Sequence, residues 1–176
     1  NAFDPIHLEE MNGTALMNRV DTKFVITFDQ LLNFLPELQE HYKILEIEGL
    51  RLPSYESEYY DSETLDFYID HHRKKVDRFK VRFRKYVESD LSFLEVKHKN
   101  KGRTDKQRIM VNDLPGKMNE EHSEFVKSTG VKQDQLNYIL TNKFHRITLV
   151  GKNHVERLTF DLDLEFNGNN KTKMLS

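Results

Sequence analysis

Asp77-Arg78-Phe79-Lys80-Val81-Arg82-Phe83-Arg84-Lys85-Tyr86-Val87-Glu88 alternates two kinds of side chain. In a strand, successive side chains point to opposite sides. Phe79, Val81 and Phe83 therefore share one face, and Lys80, Arg82, Arg84 and Tyr86 share the other. Two more such stretches follow at 91–100 and 103–111, across the polar connections Glu88-Ser89-Asp90 and Lys101-Gly102. Connections this short make hairpins, and hairpins make antiparallel sheet. In 91–100, Leu94 and Val96 oppose Phe93, Glu95, Lys97 and Lys99; in 103–111, Lys106 and Arg108 share a face.

Outward from this centre, the pattern predicts an α+β domain. Thr27 and Gln30 have capping-box spacing ahead of Leu31, Leu32, Leu35 and Leu38, which predicts a helix over 28–40 interrupted or kinked at Pro36. Asn119, with Glu120 and Glu121 after it and Gly130 beyond, predicts a second helix. Short helices are expected at 5–11 and 64–71. Strands are expected at 21–27, 42–48, 54–61, 142–150 and 155–166, the last two joined across Gly151-Lys152-Asn153, and the polar stretch 167–176 reads as loop. The sum is about eight strands and two firm helices, built on a large antiparallel sheet or barrel and forming one domain over 1–176.

Composition excludes several functions. The 27 Lys+Arg against 29 Asp+Glu give a net charge of −2, so bulk charge points to neither nucleic acid nor a membrane surface. No run approaches the ~18 apolar residues of a membrane span. The chain has no cysteine, which removes disulfides, thiol nucleophiles and Cys-based zinc and fits a reducing, cytoplasmic setting. Gly116-Lys117 and Gly151-Lys152 lack the upstream glycine of a P-loop, and no Gly-x-Gly-x-x-Gly, Gly-x-Ser-x-Gly or His-Glu-x-x-His occurs.

The charged face admits two interpretations. A one-sided sheet would turn it to water. Against that, Arg and Lys recur at i and i+2 on strands that hairpins place side by side, where like charges repel. Acidic Asp21, Glu95, Asp161, Asp163 and Glu165 stand among them, and Arg146 and Arg157 lie on the final hairpin. If the sheet closes with this face inward, the result is a tunnel lined by Lys and Arg with a carboxylate patch. Such a lining needs anions, and a string of phosphates answers guanidinium forks and ammonium point charges alike. Carboxylates there, with Glu95, Asp161 and Asp163 as the candidate ligands, would hold Mg²⁺ or Mn²⁺. Nucleic acid would need aromatic platforms on the basic side, and Phe79, Phe83 and Phe160 have the opposite parity. His98 and His145 also fall on core-facing parity.

An ordered series of short motifs supports this picture: Arg19-x-Asp21-x-Lys23-Phe24, Tyr60-Asp61-x-x-x-Leu65-x-x-Tyr68, Lys80-Val-Arg82-x-Arg84-x-Tyr86, Phe93-Leu-Glu95-Val-Lys97, Lys106-x-Arg108, Phe144-x-Arg146 and Arg157-Leu-Thr-Phe-Asp161. Together they resemble the VTC domain, the polyphosphate-polymerase domain among the triphosphate tunnel metalloenzymes and a relative of CYTH-type proteins. The resemblance implies an antiparallel barrel tunnel with flanking helices and transfer of the ATP γ-phosphate to polyphosphate with a divalent metal, usually Mn²⁺. It also implies Lys23, Arg82, Arg84 and Lys97 as catalytic phosphate ligands, and Lys80, Lys106, Arg108, Arg146 and Arg157 as further substrate-binding positions. The family continues into another strand with a metal-binding Glu, which the resemblance does not locate in this sequence, so a tunnel incomplete at that side is expected. A single Asp21 stands where the triphosphatase branch has paired glutamates. The alternatives are an inorganic triphosphatase in the same tunnel and a polyphosphate or other polyanion-binding domain without turnover. Expected partners are ATP or another nucleoside triphosphate and polyphosphate or triphosphate, with no nucleic acid and no membrane insertion.

Overall fold

Two hairpins organise the larger of two compact units in the computed structural model, which describes residues 2–14, 22–168 and 171–175. This unit comprises Ser54–Phe144 and Asp163–Leu175. Its strands are β3 (Ser54–Asp61), β4 (Arg78–Tyr86), β5 (Leu91–Asn100) and β6 (Arg103–Val111), each antiparallel to the next. The first half of β7 (Asn137–Gly151) lies beside β3. Asn100 pairs with Arg103, so β5 and β6 are joined by the two residues Lys101 and Gly102, with φ of 46° and 83°. Two positive φ values are the signature of the tight hairpin turn whose twist matches its strands, and glycine adopts the second without cost.

The apolar face of this sheet is sealed by helices. Tyr60, Val81, Phe83, Leu94 and Val96 pack with Phe67 of α2 (Asp66–His72), Val126 of α3 (Glu120–Ser128) and Val131. Asn119 caps α3 by accepting from His122 N, and Gly130, at φ 94°, ends it. Asp61 accepts from the backbone of Ser62, Phe67 and Tyr68, tying the end of β3 to α2.

The smaller unit comprises Asn1–Pro53 and His145–Leu162. It contains β1 (Pro5–Ile6), a 3-10 turn at Leu8–Thr14, α1 (Phe28–His41), β2 (Tyr42–Leu45), the rest of β7 and the start of β8 (Arg157–Gly168). β2 is antiparallel to β7 and parallel to β1. Tyr42, Ile44 and Leu149 are buried, with Leu38, Ile147, Leu158 and Phe160 against them. The capping box forms as predicted: Thr27 Oγ1 accepts from Gln30 N at 3.2 Å, and Gln30 Oε1 accepts from Thr27 N at 2.8 Å. Thr27→Ala is therefore expected to cost about 1 kcal/mol in urea unfolding. The helix runs through Pro36.

The predicted α+β, predominantly antiparallel fold is what the structure shows, and the strands 54–61, 91–100 and 103–111 stand as expected. Three expectations change. Residues 22–27 form no strand, although Phe24, Val25 and Ile26 have strong β-propensity; propensity supplies no partner edge, and these side chains are exposed. Residue 21 and Arg19 lie outside the described residues. The helix expected at 5–11 is instead β1 followed by the 3-10 turn. The polar end is not all loop: β9 (Lys171–Leu175) pairs with β8, from Leu164↔Leu175 to Gly168↔Lys171. Asp163 has φ 52°, a left-handed residue inside β8, yet the alternation expected there runs through it: Thr159, Asp161 and Asp163 are exposed, and Phe160, Leu162 and Leu164 are half-buried. Among the described residues, no helix is long and apolar enough to cross a membrane.

Candidate functional site

The strand register turns the charged parity of β3–β6 into rungs. Tyr59, Arg82, Glu95 and Arg108 form one rung; Ser57, Arg84, Phe93 and Met110 form the next; Lys80, Lys97 and Lys106 form a third. The face is not turned to water at its centre. Arg82 and Arg84 are each 7% exposed and Glu95 is 0% exposed. The centre of this sheet is thus buried on both sides, while Lys80, Lys106 and Arg108 on the charged parity are exposed.

Glu95 is the counter-charge. Arg82 Nε and Nη2 both donate to its Oε2, at 2.9 and 2.6 Å, and Lys106 Nζ reaches its Oε1. Burial works against its charge, but the Arg82 guanidinium and the Lys106 ammonium outweigh that and hold its pKa at about 2. Arg82 also donates through Nη1 to the Tyr59 hydroxyl at 3.4 Å, and Lys80 Nζ lies 4.6 Å from the Tyr59 ring centre. Burial alone would raise the Tyr59 pKa; Lys80, Arg82 and Arg84 bring it below the usual phenol value.

Arg84 and Lys97 are different. Arg84 Nε donates to a neutral group, Ser57 Oγ, at 3.1 Å, and its guanidinium lies over the rings of Tyr55 and Phe144. It makes no ion pair among the described residues. Burial, then repulsion from Arg82, pushes its pKa down. Lys97, half-buried, also makes no ion pair among the described residues. Burial, with repulsion from Arg82, Lys106 and Lys80 exceeding the pull of Glu95, lowers it to about 7. Buried cations that the protein does not neutralise are costly, and such costs gather at binding sites.

Of the residues singled out in the sequence, the structure brings together Lys80, Arg82, Arg84, Glu95, Lys97, Lys106 and Arg108, six cations against one carboxylate. Arg108 is exposed, its guanidinium 4.4 Å from the Phe93 ring centre. Lys23, Arg146, Arg157 and Asp161 belong to the smaller unit. There Lys23 is exposed, Arg157 is half-buried, and Arg146 is held by Asp161 through Nε–Oδ1 at 2.6 Å and Nη2–Oδ2 at 2.8 Å. Asp163, at a positive φ within β8, is exposed. Among the described residues, no three His, Asp or Glu side chains are placed to share an ion. His98 is structural, as expected: its ring stacks on Phe79 at 4.2 Å and Nε2 lies 2.6 Å from Asp77.

The sequence pattern does not single out Tyr59 and Ser57: the strand 54–61 is legible, but only its register against β4 sets Tyr59 opposite Arg82 and Ser57 opposite Arg84.

No protein of curated function matches the sequence. A solved structure from Vibrio parahaemolyticus, provisionally named an adenylate cyclase, aligns with 78% of this chain and 71% of its own, at 12% identity and a TM-score of 0.34. That likeness is too slight to carry an argument about either fold or activity. The sequence itself matches the family model of the VTC domain over residues 18–173. That span takes in every motif of the basic ladder, and with it the chain belongs to the VTC domain family.

Proposed function

We propose that this chain is a polyphosphate polymerase-like phosphotransferase whose β4–β6 face holds the phosphates. One observation carries the proposal: Arg84 and Lys97 are withdrawn from water on a face where six cations meet one carboxylate. A phosphate chain supplies the charge this face lacks. In the transfer, a terminal oxygen of the polyphosphate attacks the γ-phosphorus of ATP. The bond from that phosphorus to the β–γ bridging oxygen breaks, ADP leaves with the electron pair, and the chain is one phosphate longer. Positioned cations stabilise the charge spread over the transferring group.

Among the described residues, the carboxylates fit a resident divalent ion poorly. Both oxygens of Glu95 face cations, and both of Asp161 face Arg146. Mn²⁺ or Mg²⁺ would instead arrive on the phosphates of the nucleotide. The same observation favours, as second reading, a domain that binds polyphosphate without turning it over.

Incubation with ATP and Mn²⁺, followed by electrophoresis, is expected to show long polyphosphate. Free phosphate alone from ATP or triphosphate would instead make it a hydrolase, and no turnover with retained binding would make it a binder. Binding is read without metal, as a rise in Tm with triphosphate. Arg84→Met is the cleanest probe, because it strips no carboxylate of its partner. It is expected to change stability in urea by less than about 1 kcal/mol while weakening triphosphate binding about tenfold or more. An unchanged Tm shift in this variant would overturn the assigned phosphate face.

A further inference from the structure

We infer that the basic face continues outward into a second station, the rung formed by Arg78 and Lys99, which engages phosphates lying beyond the reach of a triphosphate and so makes the site prefer long chains. This rests on the reading of β4–β6 as the phosphate face and extends it.

The register places this rung. Arg78 pairs with Lys99 and Lys99 with Thr104, one step past Lys80, Lys97 and Lys106 and on the same parity. Like charges set directly opposite each other destabilise a sheet, and here two successive rungs do it. The acidic residues at this end go to the other face: Asp105 is opposite His98, and Asp77 meets His98. The basic side is left with Lys99 exposed and without an ion pair among the described residues. Arg78 is held in place, Nη1 donating to Lys75 O at 2.5 Å.

From Arg84 to Arg78 is six strand residues, about 20 Å. A triphosphate is far shorter than this ladder, whereas a linear polyphosphate can follow it. Burial grades along it, from Arg84 and Arg82 through half-buried Lys97 to exposed Lys99. Salt screens exposed charges strongly and buried ones little, so the two ends of the ladder respond differently.

The test is metal-free calorimetry on the full chain with two probes, inorganic triphosphate and a defined linear polyphosphate several times longer. The wild type is expected to bind the long chain at least about tenfold tighter. Arg78→Gln with Lys99→Gln should remove most of that advantage and leave triphosphate affinity unchanged; Lys99→Glu alone should do the same. Raising salt should erode the long-chain advantage before it erodes triphosphate binding. Lys127→Gln, on α3 against the apolar face, is the control for bulk charge. The inference fails if the wild type shows no length preference, if the outer variants keep it, or if Lys127→Gln removes as much of it. Failure of the wild type to bind either probe would overturn the functional proposal itself, a distinguishable result.

Discussion

Arg82→Ala is expected to lower the free energy of unfolding by about 3–5 kcal/mol, the largest stability loss of any single change on this face. The loss comes from what the substitution leaves behind. Glu95 is fully buried and receives two hydrogen bonds from Arg82, at 2.9 and 2.6 Å. Without them its Oε2 keeps its charge in a medium that cannot solvate it. Removing both partners is a milder change, so Arg82→Leu with Glu95→Leu should recover much of the stability but none of the phosphate binding. Equal losses in the single and double variants would show that the pair is not the source of the cost.

The same pair gives an acid-side signature. The Glu95 pKa is lowered from 4.5 to about 2 in the folded chain. Above about 4.5 the carboxylate is ionised in both states and its full contribution is present. As pH falls from there towards 2, the unfolded chain takes up a proton that the folded chain refuses, and stability drops, by about 3 kcal/mol in all. Urea titrations across that window should show the loss in the wild type and a shallower one in the Arg82→Leu, Glu95→Leu protein.

Lys97 should set the alkaline limit of binding. It is charged below about 7 and neutral above, because burial and the cations Arg82, Lys106 and Lys80 outweigh the attraction of Glu95. A bound phosphate favours the charged form, so binding draws in a proton. Triphosphate affinity should therefore fall as pH rises above 7, by up to about tenfold per pH unit until the bound-state pKa is reached. Lys97→Arg, which stays protonated throughout, should flatten that fall. Comparing the two proteins cancels the ionisation of triphosphate itself, and parallel profiles would refute the role of Lys97. Stability moves the opposite way. Between about 7 and 10.5 an unfolded Lys97 keeps a proton that the folded one has lost, so this residue makes the free protein more stable as pH rises through that window.

The hairpin core was legible because its code is local. Alternation along 77–88, 91–100 and 103–111 sorts Val81, Phe83, Leu94 and Val96 from Arg82, Arg84, Glu95 and Lys97 before any partner strand is known. A one-residue shift would expose the whole apolar set, so the pattern also pins the register. The Thr27 and Asn119 caps were legible for a similar reason, each acting over three residues. What failed was non-local. Phe24-Val25-Ile26 has the composition of a strand and pairs with none among the described residues, while Lys171-Thr-Lys-Met-Leu175 lacks that composition and becomes a strand because β8 offers it an edge.

The sequence by itself determined which side chains share a face, because parity is a property of the single strand. Tertiary structure decided what those faces meet. It buried Arg84 beside a neutral hydroxyl, gave Glu95 to Arg82 and Lys106, and clamped Asp161 onto Arg146. Partner choice depends on register and burial, and the energy of an ion depends on how much water it has lost, which no spacing of residues along a chain encodes.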